Sequence, residues 1–425
     1  MRIAYICADF GIPILGYKGA SVHVRELVSA LTTDGHEVQV FSPNPGTGNS
    51  LVAPLHPVSP DRLPETLRRV VRRSLPGAQS LDKEVRELVF NVTLFRSLRK
   101  EWQRWHPDAI YERYTVFNLA GAALARRIGV PHLLEVNAPL RLERARTKGL
   151  RLDSIAGLIE RRLFRSADGV LTVTAALRRY VLGRGGRAER TLVVPNGVDV
   201  DRFSAGRNNR QTMRARWGLR DDEFVIGFAG SLKSWHGTET LIDAFGLLHR
   251  SEPDLHLLIV GEGPMDESLR ARAGELGLAG SITFTGKVAH SDMPRVLAAM
   301  DAGVAPYLDA PDFYFSPLKI YEYMAAGLPV VASDAGDIAT LVREGETGLL
   351  STPGDPVSLS TALRRLVESP SLRRALSTAA SAEAARHTWL DNARLVANLA
   401  DSLAERVRPH RLEMRPEAGL WQTSQ

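Results

Sequence analysis

The sequence predicts an α/β protein of two domains, each a doubly wound parallel sheet, facing one another across a cleft. Three observations carry that prediction. The chain has 425 residues, enough for two sizeable cores at roughly 150 residues or more per domain. Both halves repeat one order: a short β-branched run, a glycine-containing loop, an amphipathic helix, then another apolar run. Finally, Pro195-Asn196-Gly197-Val198-Asp199 punctuates the chain where the first series of apolar runs stops.

In the first half, residues 2–7 read as a strand and the loop runs to Gly19. Residues 21–33 then read as a helix, with Val24, Leu27, Val28 and Leu31 on one face. Further strands are expected at 38–41, 109–111, 132–136, 169–173 and 191–194. The second half gives 224–229, 255–260, 282–284, 302–305 and 329–332, and residues 358–407 read as helices. The expected division is 1–203 for the first domain and 204–385 for the second. A helix over 386–408 is expected to pack back on the first domain, and 409–425 has no periodicity and reads as a disordered tail. Residues 42–77, rich in Pro, Gly and Asn, read as a surface insertion or a loop over the cleft.

Composition excludes several classes. With 44% hydrophobic, 24% charged and 7% aromatic residues, the chain is neither disordered nor fibrous. Its single cysteine, Cys7, cannot form an intramolecular disulfide or a cysteine-based zinc site. The apolar run at 3–8 is too short for a signal peptide, and no eighteen-residue apolar stretch follows. The expectation is a cytoplasmic protein whose membrane contact, if any, is peripheral at the inner face. Residues 1–205 carry 31 Lys and Arg against 20 Asp and Glu, and the remainder 23 against 28. The basic half favours an anionic partner. Nucleic acid is disfavoured because no aromatic residues interleave with the basic clusters.

Neither half holds a strict dinucleotide glycine fingerprint or a P-loop lysine motif, which disfavours nicotinamide enzymes and NTPases. The glycines stand singly before helices instead. Gly19 precedes Ser21, a possible cap whose helix would open on the crevice. Gly230-Ser231-Leu232-Lys233-Ser234-Trp235-His236-Gly237 lies between a strand and a helix, where an anion sits in an open sheet. Of its two basic side chains, Lys233 is the better phosphate partner. The sharpest feature is the run 313–329. Ser316 reads as an N-cap and Pro317 as the first helical residue, so the amides of Leu318 and Lys319 have no intrahelical partner and suit a diphosphate. Glu322, three residues beyond Lys319, could pair with that lysine or accept two hydroxyls of a ribose.

These motifs together resemble the family 4 glycosyltransferases of the GT-B fold. The resemblance rests on Gly19 with His23, Gly35-His36-Glu37-Val38, the Pro195 to Asp199 run, and the Gly230 to Gly237 loop. It continues through Val260-Gly261-Glu262-Gly263-Pro264, Phe284-Thr285-Gly286-Lys287-Val288, Glu322 to Gly327, and Gly345-Glu346-Thr347-Gly348. It implies two Rossmann-like domains, 1–203 binding the acceptor and 204–385 the nucleotide sugar, and retaining transfer of a sugar from a nucleotide-diphosphate donor. The acceptor would be a polysaccharide, a lipid-linked glycan or a small natural product. No cofactor is implied. No metal is implied either, because Lys and helix N-termini neutralise the diphosphate and no Asp-x-Asp triplet is expected to act as a ligand set. In that picture Glu322 holds the ribose, and Gly263, Lys287 and Val288 lie near the base. The diphosphate lies between the Gly230, Ser231, His236 and Gly237 loop, the start at Ser316 and Leu318, and Gly19.

The sequence departs from the family pattern at three places. Ser231 and His236 stand where the family places Arg and Lys, leaving Lys233 and Lys319 as replacements, with His236 a candidate third cation. Tyr314 stands where a sugar-contacting Glu is usual. Asn137 follows the middle strand in place of a His and becomes the candidate beside the reacting sugar, with Glu135, Glu112 and Arg113 on the acceptor side. A nucleotide-sugar epimerase of the same fold and a non-catalytic nucleotide-sugar-binding partner remain the alternatives.

Overall fold

A computed structural model describes residues 1–59, 78–310 and 313–407. Two wholly parallel sheets organise it. The first contains β1 (Arg2–Cys7), β2 (Glu37–Ser42), β3 (Leu55–Pro57), β4 (Ala109–Arg113), β5 (His132–Val136), β6 (Gly169–Thr172) and β7 (Thr191–Val193). The second contains β8 (Phe224–Ala229), β9 (Leu255–Val260), β10 (Ile282–Gly286), β11 (Ala302–Ala305), β12 (Val330–Ser333) and β13 (Leu349–Ser351). Strand orders are 3-2-1-4-5-6-7 and 10-9-8-11-12-13. Each sheet therefore reverses direction once, between β1 and β4 and between β8 and β11, and ligands of open α/β sheets bind at the carboxyl ends of the strands flanking such a point.

The strands are buried on both faces, as the runs Ile3 to Cys7 and Leu255 to Val260 show. Two strands lay outside the sequence expectation. β3 is a three-residue edge strand ending on Pro57, and β13 follows the turn at Gly345 to Gly348. Both are too short to carry a two-residue periodicity. Of the 42–77 insertion, residues 43–54 run without strand or helix up to the edge strand Leu55–Pro57, and residues 60–77 and the 409–425 tail lie outside the described residues.

The Trp389–Val407 helix returns to the first sheet. Its Trp389, Ala393, Val396 and Ala400 share a core with Tyr5, Val24, Leu27 and Leu31. Two chain crossings run side by side here, with the Val198 amide donating to the His387 carbonyl at 2.9 Å. No helix among the described residues is long and apolar enough to cross a membrane.

Candidate active site

The two switch points face each other. The loop after β1 delivers the Gly19–Thr33 helix, and the chain after β11 delivers the Leu318–Ala325 helix. The direction of a Cβ at Gly19 meets only Leu318 Cδ1, at 4.0 Å. Both helix starts lack a side-chain cap, which corrects two sequence expectations. Ser21 is inside its helix, fully buried with its hydroxyl unpartnered. Pro317, not Ser316, is the N-cap. Ser316 is held by the interdomain linker instead: its hydroxyl accepts from the Asn196 amide at 3.2 Å and its carbonyl from Asn196 Nδ2 at 2.5 Å. Asn196 is in turn bonded to His23 Nδ1 at 2.8 Å. The amides of Leu318 and Lys319 are thereby left to the cleft.

Lys319 is the site's decisive side chain. It is 8% exposed, and its Nζ has no hydrogen-bond partner. The ammonium lies 3.9 Å from the Phe228 ring centroid and 5.2 Å from that of Tyr307. Burial pulls its pKa down to about 7, with Glu322 opposing. Gly230 makes room for it: the residue has φ +151° and a Cβ there would stand 2.8 Å from Nζ. At Gly237, φ is +66° and a Cβ would fall 1.6 Å from the Pro306 carbonyl oxygen, so the loop closes against β11 only with glycine. Gly263 packs against the Leu232 carbonyl from the other side.

His236 is not a cation. Its Nδ1 donates to the Ser231 carbonyl and its ring stands edge-on to Tyr307. Burial and the neighbouring Lys319 lower its pKa to about 3. Lys233 is half-buried over the Trp235 ring, and its pKa is lowered by burial and by Lys18, with Lys148 adding to this and Glu143 opposing. Three lysines from both domains therefore surround the mouth of the cleft.

Glu322 does not hydrogen-bond to Lys319. Its Oε1 accepts from His290 Nε2 at 2.7 Å. Lys287 lies 3.7 Å from Glu262 and 3.8 Å from the Tyr17 ring centroid across the cleft, while Val288 packs into the second domain's core. Tyr314 is packed against the first domain's core and its carbonyl accepts from Thr174 Oγ1 at 3.2 Å.

On the facing side the structure separates four candidates. Glu112 is fully buried and accepts from Asn118 Nδ2 and from His132 Nε2 at 2.7 Å, on the sheet face opposite Tyr111 and Arg113. It does not face the acceptor side, because alternate residues of β4 point to opposite faces. Glu135 accepts from His23 at 2.6 Å, Tyr111 at 2.7 Å and Arg113 at 3.1 Å. Burial alone would raise its pKa, but His23 and Arg113 hold it at about 2. Arg113 and Glu135 thus satisfy each other inside the domain and are not free to bind an acceptor. Asn137 differs, since its Oδ1 is buried without a partner. The chain's Asp-x-Asp triplet, Asp199-Val200-Asp201, lies at the linker, where Asp199 caps the Val200–Ala205 helix through the Arg202 amide.

Glu26 and His290 were missed: each stands alone in sequence, and only the joining of the domains brings them to 3.4 Å. His23 and Asn196 were named only as parts of separate motifs, and the fold pairs them at 2.8 Å.

With this geometry in place, comparison with known proteins is decisive. The model described as "Glycosyl transferases group 1" matches residues 223–369, and the model described as "Glycosyl transferase 4-like domain" matches 18–197. The chain belongs to the family 4 glycosyltransferases of the GT-B fold. This transferase is 28% identical to D-inositol 3-phosphate glycosyltransferase of Paenarthrobacter aurescens, over 87% of its own length and 90% of that protein. It is 29% identical to 2-deoxystreptamine glucosyltransferase of Streptomyces kanamyceticus, over 59% of its own length and 65% of that protein. Among solved structures, Anabaena HepE in complex with UDP and glucose superimposes with a TM-score of 0.71. That match has 20% identity and covers 95% of the transferase and all of that chain.

Proposed function

We propose that the transferase moves a sugar, with retention of configuration, from a nucleotide-diphosphate donor to a hydroxyl of a glycan, lipid-linked or small-molecule acceptor. The observation that carries this is Lys319: a buried, unpartnered ammonium beside a glycine and an uncapped helix start requires an anion. A diphosphate fits, since it can take the Leu318 and Lys319 amides and the lysine charge together. The helix then carries Glu322 one turn further on, in reach of a ribose. Support for a nucleotide sugar also comes from HepE, which was solved with UDP and glucose.

In this reading the bond from the anomeric carbon to the diphosphate oxygen breaks as the acceptor oxygen attacks the same face. The acceptor's proton passes to the departing diphosphate. Lys319 and the helix start stabilise the charge that develops on that leaving group, the work a divalent metal does in other transferases. The unpartnered Asn137 oxygen faces the reacting sugar. Lys18, Lys148 and Lys233 favour an acceptor that carries negative charge.

The test is product analysis. The protein is incubated with UDP-, GDP- and ADP-sugars and an acceptor panel, with and without chelator, and the anomeric configuration is read by NMR. The proposal expects an axial or equatorial linkage matching that of the donor, with turnover unaffected by chelator. An inverted linkage, or activity abolished by chelator and restored by a metal, would overturn it.

A further inference from the structure

We propose that His290 is a positioning residue that ties the ribose carboxylate, Glu322, to the facing domain through Glu26, so that closure of the cleft sets donor affinity. This rests on the reading of Glu322 given above. His290 sits after β10, and its two ring nitrogens reach two carboxylates of opposite origin. Nε2 is 2.7 Å from Glu322 Oε1 on the donor helix. Nδ1 is 3.4 Å from Glu26 Oε1 on the Gly19–Thr33 helix of the first domain. Glu26 is fixed by its other oxygen, which accepts from Arg202 at 2.8 Å. The linker, the first domain and the donor helix thus meet at one imidazole.

A neutral imidazole has one N–H and could serve only one of the two carboxylates. The doubly protonated ring serves both. The surrounding charges agree. Glu322, with Lys319 beyond it, faces the ring from the donor helix. Glu26 faces it from the first domain, with Arg25 beside it, and Arg202 with Asp199 lies behind Glu26 on the linker. The Phe203 ring closes the last side at 6.1 Å. Burial would lower the pKa of His290, but Glu322 and Glu26 raise it to about 9. Holding Glu322 by Oε1 orients the carboxylate and leaves Oε2 for a sugar hydroxyl. When the domains part, Glu26 leaves and the imidazolium keeps a single carboxylate. The ring is then fixed on one side only, so it and the Glu322 carboxylate it carries can turn from the cleft, and the ribose loses an oriented acceptor. Glu26 touches no part of the donor in this arrangement, yet it governs how tightly the donor binds.

The experiment compares two ligands on the full chain by calorimetry at pH 7: a nucleoside diphosphate, the tightest of UDP, GDP and ADP, and its 2′,3′-dideoxy counterpart. The unmodified protein should prefer the ribose-bearing ligand at least tenfold. Glu26→Gln should shrink that preference at least threefold and leave the dideoxy affinity within twofold. His290→Gln, which keeps one N–H for Glu322 and loses the link to Glu26, should do the same and guards against a folding defect in the first variant. Adding Glu26→Gln to Glu322→Gln should have no further effect. If Glu26→Gln weakens both ligands equally, or neither, the coupling is wrong. Equal affinity of the unmodified protein for the two ligands, with Glu322→Gln binding as tightly, overturns the ribose reading itself and the coupling with it.

Discussion

Replacing Lys319 by Met should make the ligand-free protein more stable and the donor bind more weakly. The depression of the Lys319 pKa from 10.5 to about 7 corresponds to roughly 4–5 kcal/mol at about 1.4 kcal/mol per tenfold, the cost of keeping that charge in the folded state. The folded protein releases this proton more readily than the unfolded chain. Stability should therefore rise between pH 7 and 10.5, and the full cost applies below pH 7. Methionine has a similar length and no charge, so Lys319→Met should recover a part of that cost. It should also flatten the pH dependence of the melting temperature across this window. Binding should respond in the opposite direction. A diphosphate needs the protonated lysine, so affinity should fall about tenfold per pH unit above 7 in the parent, with one proton taken up from buffer. In Lys319→Met the proton uptake disappears and the donor loses ~1.5–3 kcal/mol, the worth of a charge-assisted hydrogen bond. Chemical denaturation from pH 6 to 9 and calorimetry in buffers of different ionisation enthalpy read both effects. A destabilised variant whose nucleotide affinity and proton uptake match the parent would refute the reasoning.

Three further outcomes are expected. Gly237→Ala forces a Cβ to 1.6 Å from the Pro306 oxygen at positive φ. It should cost about 1–3 kcal/mol for the backbone conformation alone, read by urea unfolding, and an unchanged midpoint would contradict the loop geometry. His236→Gln retains a side-chain N–H for the Ser231 carbonyl, so its nucleotide affinity should follow the parent's pH profile from 5.5 to 8. A selective loss at acid pH would mean the imidazole is charged after all. Glu135 has its pKa lowered to about 2 by His23 and Arg113, so it stabilises the fold above pH 4.5 and that contribution is lost as pH falls toward 2. Glu135→Gln should cost on the order of 3 kcal/mol at pH 7 and leave nucleotide affinity intact. A stable variant with impaired transfer would instead return Glu135 to the acceptor side.

The sequence alone determined what depends on neighbours along the chain. Strand runs such as Ile3 to Cys7, the lone glycines at 230 and 237, and the helix opening after Pro317 are legible because a parallel strand buried on both faces must be continuously apolar, a turn at positive φ needs glycine, and proline suits a helix start. The order of those signals sufficed for the fold and the transferase class. Tertiary structure decided the electrical state of the site. Lys319 and His236 both carry basic side chains in a glycine-rich setting. Only the packing of Phe228 and Tyr307 leaves one an unpaired ammonium and the other a neutral donor to the Ser231 carbonyl. Glu112 and Glu135 are likewise indistinguishable as acidic residues near strand ends, until the sheet faces send one to His132 and the other to His23 and Arg113. Glu26 lies hundreds of residues from His290 and Glu322, in the other domain, and comes into register with them only when the two domains close. A charge buried among distant partners has a free energy set by those partners, and no local pattern encodes it.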